Sequence, residues 1–284
     1  YSYVVIAKVV LTGALLAMGY ANRKALESRD QLRLQELIRL IGVEAMVMTA
    51  VLFMGSWLSQ IQPPIGDVTS LTAAELLVGQ KTPPPPSLWN MLKLYNPDAL
   101  MIALLITAVA LYIKGVMVLK SRGDSWPVGR TIAFASGIAL IDFATSGGLG
   151  VYAVFSFEYH MMAHMLLGMI APIGLVLGAP ITLALRTLPQ SRDGKERGIR
   201  ALALTALHSK YSVILTNPIA ALALFDGSLF VLYFTDLFGA LMQNHAGHIL
   251  MNIHFILAGF LFFNVVIGID PSPRKYPHIV RIVI

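Results

Sequence analysis

The sequence contains no cysteine among its 284 residues. Disulfide frameworks and thiolate metal sites are therefore excluded, so any metal has to be held by histidine, methionine, carboxylate or backbone ligands. Charged residues are also scarce, at 13% of the chain, whereas soluble domains have about 25%. So few charged side chains cannot cover the surface of a soluble domain of this length, and the surplus apolar residues have to face lipid.

Long apolar runs account for most of the sequence, with 56% hydrophobic residues and a mean hydropathy of +0.71. A spanning helix needs roughly 20 mostly apolar residues, and helices satisfy their own backbone groups inside hydrocarbon. We therefore predict an all-α polytopic transmembrane bundle in a lipid bilayer, with about seven spans. The predicted spans, called segments A to G, are residues 1–20, 40–58, 99–119, 128–149, 159–185, 213–234 and 245–267.

Loops rich in lysine and arginine alternate along the chain with loops that have few or none. The A–B, C–D and E–F loops and the stretch after segment G are basic, whereas the D–E and F–G loops carry neither residue. The long B–C loop carries only Lys81 and Lys93. The positive-inside rule then predicts that the basic loops are cytoplasmic and the other loops extracytoplasmic. The net charge of +6 reflects this orientation and does not indicate nucleic-acid binding.

The B–C loop is also the predicted boundary between two membrane modules. It contains Pro63-Pro64 and the four consecutive prolines 83–86. Proline runs favour stiff, extended backbone, so residues 63–97 are predicted to form an extracytoplasmic linker. The sequence begins and ends inside apolar runs, and we expect it to be a piece of a longer polypeptide.

Two pairs of histidines lie at the predicted outer ends of segments E and G. The first pair is four residues apart and the second three, so each pair shares one helix face. Two methionines flank the first pair. Imidazole suits copper, zinc, iron and nickel, and thioether selects Cu(I), so the set indicates copper as Cu(I), with heme iron or zinc as alternatives. The predicted ligands are His160, Met161, His164, Met165, His245 and His248.

Further ionisable residues lie in or next to the predicted spans, where such groups are costly and often functional. Asp142 and Asp226 lie in segments D and F, and Glu158 directly precedes segment E. Together with His254 of segment G they are predicted to support the metal ligands or to take protons. The competing interpretation is that these residues, and the histidines themselves, are interfacial or packing residues.

Segment E and the end of segment G carry a family resemblance. Residues 155–167 read FSFEYHMMAHMLL, and segment G contains His254-Phe255 followed by Gly268-Ile269-Asp270-Pro271. Trp126, Arg130 and Phe134 fit the same pattern. Over residues 89–284 the chain resembles the CtaG family of cytochrome c oxidase assembly factors.

Residues 1–62 are similar to the last two helices of the CopD family of copper-uptake membrane proteins. The features that carry this similarity are Lys8, Asn22-Arg23-Lys24 and Glu44. The whole chain then resembles an actinobacterial CopD–CtaG fusion, with most of the CopD-like half upstream. Residues 98–284 would be the CtaG-like domain, incomplete at its C-terminal end, with a last helix beginning near Ile279.

The resemblance implies a copper-handling factor of the bacterial plasma membrane that assembles heme–copper cytochrome c oxidase and is not an enzyme. Oxidase subunits or other copper chaperones would be its partners. The resemblance carries over His160, Met161, His164 and His254, whereas His245 and His248 follow from their spacing. A copper transporter, a heme-binding redox protein and a purely structural partner of the oxidase are the alternatives.

Overall fold

The fold is described from a computed structural model of the chain. The chain divides into two compact units, Tyr1–Ala73 and Ala74–Ile284, and each unit is described by itself. The described residues are 2–27, 42–43, 45–51, 72, 75, 78, 80–189, 199–242, 245–273, 276–277 and 281.

The first unit contains helix α1, Ser2–Glu27, which covers the predicted segment A. Its apolar part, Val9–Asn22, is shorter than the helices that are long enough to span. In the predicted segment B, residues 42–43 and 45–51 are helical. Glu44 and Ile279, which the two resemblances cite, lie outside the described residues.

The second unit is built from short and long helices in one succession. Short helices lie before, between and after the long helices along the chain. A π-helical stretch, Leu166–Ile170, interrupts segment E. The helices are α2 Leu88–Lys93, α3 Ala99–Ser121, α4 Val128–Thr145, α5 Gly148–Ala153, α6 Phe157–Met165, α7 Ala171–Leu177, α8 Pro180–Thr187, α9 Ile199–Leu207, α10 Lys210–Leu215, α11 Pro218–Phe234, α12 Leu237–Met242 and α13 His245–Ile267.

Four helices among the described residues are long and apolar enough to cross a membrane, and they match segments C, D, E and G. They are Ala99–Ser121, Val128–Thr145, Phe157–Thr187 and His245–Ile267. The apolar helices Val9–Asn22 and Pro218–Phe234 are shorter. The prediction of an all-α membrane bundle is therefore confirmed, whereas the count of seven spans is not confirmed by the described part of the chain.

Two predicted boundaries were wrong, and local backbone chemistry explains both. Segment F was predicted from residue 213, but α11 begins at Pro218, where proline has no N–H to donate to a continuing helix. The Asn217 side chain caps this start by accepting from the Ile219 N–H at 3.0 Å. Segment D was predicted to reach Leu149, but α4 ends at Thr145, and Gly148 begins the separate helix α5.

Segment E is a single span of 31 residues that is broken twice. The first break is the π-helical stretch, which ends just before Pro172. Proline at this position cannot donate to the Gly168 carbonyl, so the regular hydrogen-bond ladder is lost there. Gly259 of α13 lies so close that an added Cβ would meet the Gly168 oxygen. The break therefore coincides with the closest approach between segment E and α13.

The second break lies between α7 and α8. Ala179 adopts φ of 49°, the left-handed region, and is fully buried. The Tyr112 hydroxyl donates to the Gly178 carbonyl at 2.9 Å on one side of the break. On the other side the Asp270 carboxylate accepts from the Thr182 N–H at 2.7 Å. Buried backbone groups freed by the break thus find partners, as a span requires.

The aromatic residues of the family resemblance support this second break. Trp126 donates from its indole N–H to the Tyr112 hydroxyl at 3.1 Å, and Phe134 stacks on the Tyr112 ring at 4.0 Å. The Arg130 guanidinium lies 4.9 Å from the Trp126 ring, within cation–π range. Trp126, Arg130 and Phe134 therefore shape the end of segment E that lies away from its histidines.

Segment E packs between α4 and α13, and small residues make this possible. Gly137 of α4 and Gly174 of α7 face each other so closely that a Cβ on Gly174 would lie 2.9 Å from the Gly137 nitrogen. Gly174 therefore allows close packing of the two helices. This central position of segment E brings the start of α6 beside the start of α13, where all the candidate histidine ligands lie.

Candidate metal centre

Three of the four predicted histidine ligands meet at one end of the second unit. His160 and His164 lie on α6 and His248 on the first turn of α13, and their ring nitrogens lie within 4.8 Å of one another. Two nitrogens that share one ion lie at most about 4.2 Å apart, since metal–nitrogen bonds are about 2.1 Å. Movements of the ring nitrogens by less than about 1 Å would therefore suffice for the three side chains to share one ion. We call these residues the histidine triad.

The two histidines of α6 are the most deeply buried members of the triad. His160 is 3% exposed and His164 is 1% exposed. The Nε2 atoms of both rings are buried and have no hydrogen-bond partner among the described residues. A buried polar atom without a partner is costly, and native proteins rarely keep one without a reason. Two such atoms close together fit a site whose ligand is an ion.

The other nitrogen of each ring is held by the protein. His164 Nδ1 lies 2.6 Å from the Tyr233 hydroxyl of α11, and the His160 ring hydrogen-bonds the backbone of Ala153. For Nε2 of His164 to bind a metal, Nδ1 has to carry the proton and donate it to Tyr233. Such outer partners fix the tautomer and ring direction of metal-binding histidines. The Nε2 atoms of both rings therefore remain available for a ligand.

Aromatic rings pack against two members of the triad. Phe255 of α13 lies 4.5 Å from the His164 ring, and Phe238 of α12 lies 5.3 Å from the His160 ring, both measured between centroids. These rings exclude water without offering a competing ligand.

A cavity of about 200 Å³ leads to the triad. All three triad residues line it, together with His245, Asp98 and Asn252. No methionine lies among the described residues that line it. The site thus offers imidazole, carboxylate and amide groups, which suit several first-row metal ions, and it lacks the thioether that selects Cu(I).

His245, the fourth predicted histidine, lies at the mouth of this cavity and not in the triad. Its Nε2 atom is 2.6 Å from the Asp98 carboxylate, and its side chain is 74% exposed. Asp98 also caps α3 by accepting from the Met101 N–H at 2.9 Å. We call Asp98 and His245 the mouth pair.

The structure places the other predicted residues away from the triad cavity. Met161 and Met165 are half-buried but do not line it, because each is displaced by about 100° around the helix from the neighbouring histidine. Glu158 and Asp226 are exposed. His254 lines a separate, largely apolar cavity of about 660 Å³ beside α11.

Asp142, predicted to support the metal ligands, instead bonds a loop residue. It accepts a hydrogen bond from the Tyr95 hydroxyl at 3.1 Å. Partial desolvation, together with this hydrogen bond and the charge of Asp142, raises the pKa of Tyr95, so the phenol remains a donor at neutral pH. Asp142 therefore ties the loop before α3 to the end of α4.

Sequence reasoning missed two residues of the site, Asp98 and Tyr233. Asp98 directly precedes segment C, where an aspartate is a typical helix N-cap, at the same predicted level as the histidines. Tyr233 lies at the outer end of the predicted segment F. Both are polar residues at the outer end of a predicted span, and this feature could have identified them from the sequence.

Helices of spanning length, close glycine contacts and a buried histidine cluster at one end define a polytopic α-helical membrane protein. Residues 110–284 match the family model described as Cytochrome c oxidase caa3 assembly factor (Caa3_CtaG), and the chain belongs to this family. The predicted CtaG resemblance is thereby confirmed. The match does not extend to residues 1–109, so the CopD resemblance stays a prediction.

Relatives of the chain occur in mycobacteria. It is 41% identical over 213 residues to the uncharacterized protein Mb0105 of Mycobacterium bovis and, to the same extent, to the uncharacterized protein MT0111 of Mycobacterium tuberculosis. It is 38% identical over 211 residues to the uncharacterized protein ML1998 of Mycobacterium leprae. These matches cover 75%, 75% and 74% of this chain and 32% of each relative, so the chain spans about a third of their length. No solved structure matches the chain.

Proposed function

We propose that this chain is the copper-handling membrane part of a cytochrome c oxidase assembly factor of the bacterial plasma membrane. It binds copper as cargo through His160, His164 and His248 near the extracytoplasmic face and passes it toward the oxidase. Family membership supports the role in oxidase assembly. The observation that carries the copper proposal is that two buried histidines with unpartnered Nε2 atoms cluster with His248, their ring nitrogens within 4.8 Å.

The choice of Cu(I) among the candidate ions rests on the charge of the site. The histidine triad is neutral when it binds metal, and no acid is among its three members. The cost of taking an ion out of water rises with the square of its charge, so a divalent ion costs about four times as much as a monovalent one. In the neutral triad Cu(I) leaves one uncompensated charge and a divalent ion leaves two, which is why we propose Cu(I), while three neutral histidines also suit Zn²⁺.

The proposed partners follow from this role. Oxidase subunits or other copper chaperones would exchange copper with the open end of the cavity, and lipid would surround the apolar spans. The protein acts without catalysing a reaction on this proposal. We also propose that residues 1–62 belong to a CopD-like uptake module, joined to the CtaG-like domain, residues 98–284, through the proline-rich segment 63–97.

A heme site is a weaker candidate because of the size of the cavity. Pockets for drug-sized ligands measure about 300–1,000 Å³, whereas the triad cavity measures about 200 Å³. Copper transport is the second candidate function, because segment E is broken twice, as are the helices that line transporter sites. Copper flux into vesicles that contain the purified protein tests transport directly.

The experiment that tests the copper proposal is competition for Cu(I) with a chromogenic chelator, performed on the purified whole protein. We expect one tightly bound copper per chain, and an affinity at least about tenfold weaker in His160→Ala, His164→Ala and His248→Ala. His208→Ala is the matched control, because His208 is exposed and, among the described residues, its ring bonds the Leu204 carbonyl. A wild-type protein without copper, or equal losses in all four variants, would contradict the proposal. A Soret band in the absorbance spectrum would favour heme.

A further inference from the structure

Side chains of types that can bind a metal line one cavity from its mouth to its buried end. At the mouth His245 is 74% exposed, and the Asp98 side chain is 16% exposed. His248 is intermediate in burial, one helical turn further along α13. His160 and His164 end the series at 3% and 1% exposure. The series forms a gradient of burial within a single cavity.

In the mouth pair, the Asp98 carboxylate is held by a second contact besides its ion pair with His245. The Asp98 carboxylate is held on one oxygen by the Met101 N–H, and its other oxygen faces His245. Asn96 and Gln80, which also line the cavity, hydrogen-bond each other at 2.9 Å. The carboxylate is therefore held in position by the start of α3, whereas the His245 side chain, at 74% exposure, has space to move.

We propose that Asp98 and His245 form a second metal-binding site, which captures the copper ion at the mouth and passes it through His248 to the buried histidines. The proposal rests on the proposed function, because it concerns the route to the same triad. An ion bound to both groups through bonds of about 2.1 Å would set them about 3–4 Å apart. The present separation of 2.6 Å requires His245 to move outward by about 1 Å, which its exposure permits.

The physical reason for a separate site is the cost of dehydration. A hydrated cation cannot reach ligands that are 1–3% exposed without losing its water. A carboxylate at the mouth attracts the cation and replaces part of its hydration shell, and charged groups at a cleft raise association rates by about 10–10³-fold. His245 and His248 are three residues apart on one face, about 5–6 Å between Cβ atoms, so each ligand exchange is short.

The test is the rate at which the purified whole protein takes Cu(I) from a chromogenic chelator complex. In Asp98→Asn and His245→Ala we expect loading at least about tenfold slower, with the final affinity of the triad unchanged. Asp98→Glu keeps the carboxylate and should load nearly as fast as the wild type. The matched control is Asp124→Asn, which breaks an exposed ion pair of Asp124 with Arg186 at 3.4 Å.

The outcomes separate this proposal from the proposed function. Unchanged loading rates in Asp98→Asn and His245→Ala would show the mouth pair to be a surface ion pair and overturn the second site. Loss of affinity along with rate would show a single shared site and also overturn it. Weak binding of one copper that persists in His164→Ala, and disappears when His245→Ala is added, would support it. A wild-type protein that binds no copper would overturn the proposed function itself. Thermal unfolding of each variant, together with Asp98→Glu, excludes misfolding as the cause of slow loading.

Discussion

Each buried histidine of the triad uses one ring nitrogen for the protein, which leaves the other nitrogen for a ligand. His164 is bonded through Nδ1 to Tyr233 and is 1% exposed. A histidine kept only for packing would be expected to satisfy both nitrogens or to be replaced by an apolar residue, because an unpartnered buried nitrogen costs about 1–3 kcal/mol. At the scale of single residues, this cost is the strongest argument that His164 binds something.

His164→Ala should lower oxidase activity while the membrane level of this protein stays normal. Removing one imidazole from a small ligand set weakens copper binding, whereas alanine is the best helix former and keeps α6 intact. Excess copper in the medium should partly restore the oxidase, because mass action offsets a weaker affinity. The measurement is oxidase activity, protein abundance and copper response in one mutant.

The competing role of His164 as a packing residue predicts a different pattern in the same experiment. The protein level would fall, and added copper would not restore the oxidase. Normal oxidase activity at limiting copper would count decisively against His164 as a ligand.

Tyr233→Phe should weaken copper binding by about 10–100-fold without removing any ligand, as is typical of lost outer partners of metal-binding histidines. The loss of the hydroxyl leaves Nδ1 of His164 free to hold or lose its proton, so Nε2 is no longer fixed as the metal-binding nitrogen. Chelator competition on the purified protein measures the change. Tyr211→Phe is the control, since Tyr211 is 68% exposed on α10. An equal effect in both variants would contradict the role of Tyr233.

At the scale of elements, segment E owes its shape to its prolines and glycines. Pro172 follows the π-helical stretch, and Pro180 follows the left-handed Ala179. Asp270 and Tyr112 partner the backbone on the two sides of the second break. The breaks let a single span of 31 residues pack against α4 through one face and against α13 through another.

The sequence allowed prediction of the membrane class, of the extent of segment E, and of the bounds of segment G. Apolar length and proline positions determine these features locally. The starts of α11 and α5 were missed because caps at Asn217 and Gly147 compete with apolar continuity. That His160 and His248 meet could be predicted, because both lie at the same predicted depth in their spans. That His245 stays outside the triad could not be predicted. That exclusion depends on Asp98, which only the tertiary arrangement brings to α13.

Gly259→Val should destabilise the protein and weaken copper binding together. A Cβ at Gly259 would overlap the Gly168 oxygen, so valine has to push α13 away from segment E and from the triad. Overpacking of this kind costs typically about 1–3 kcal/mol. Thermal unfolding and chelator competition measure the two effects. Gly227→Val on α11 is the matched control, because a Cβ there meets nothing within 4 Å; equal destabilisation in both would contradict the close approach.

At the scale of the whole second unit, polar chemistry is divided between its two ends. The triad and the mouth pair lie where α6 and α13 begin. At the other end, Arg122 donates to the Arg186 carbonyl at 3.0 Å, and Arg186 pairs with Asp124. The exposed side chains of Leu88, at 84%, and Trp89, at 71%, lie on α2, which leads toward α3. Exposed tryptophan next to a span is typical of the membrane interface.

The last prediction concerns how this unit is oriented in the membrane. If the arginine end is cytoplasmic, a cysteine at position 195, in the basic stretch between segments E and F, should be protected from an impermeant thiol reagent in intact cells. A cysteine at position 88, on α2, should be labelled under the same conditions. The chain has no cysteine of its own, so Lys195→Cys and Leu88→Cys each carry one reactive thiol in this segment. Permeabilised cells provide the control in which both positions react. The reason for the expected orientation is the cost of moving lysine and arginine across the membrane during insertion, which retains basic loops inside. Labelling of Lys195→Cys in intact cells would place the histidine triad on the cytoplasmic side, and copper would then have to reach the mouth pair from within the cell.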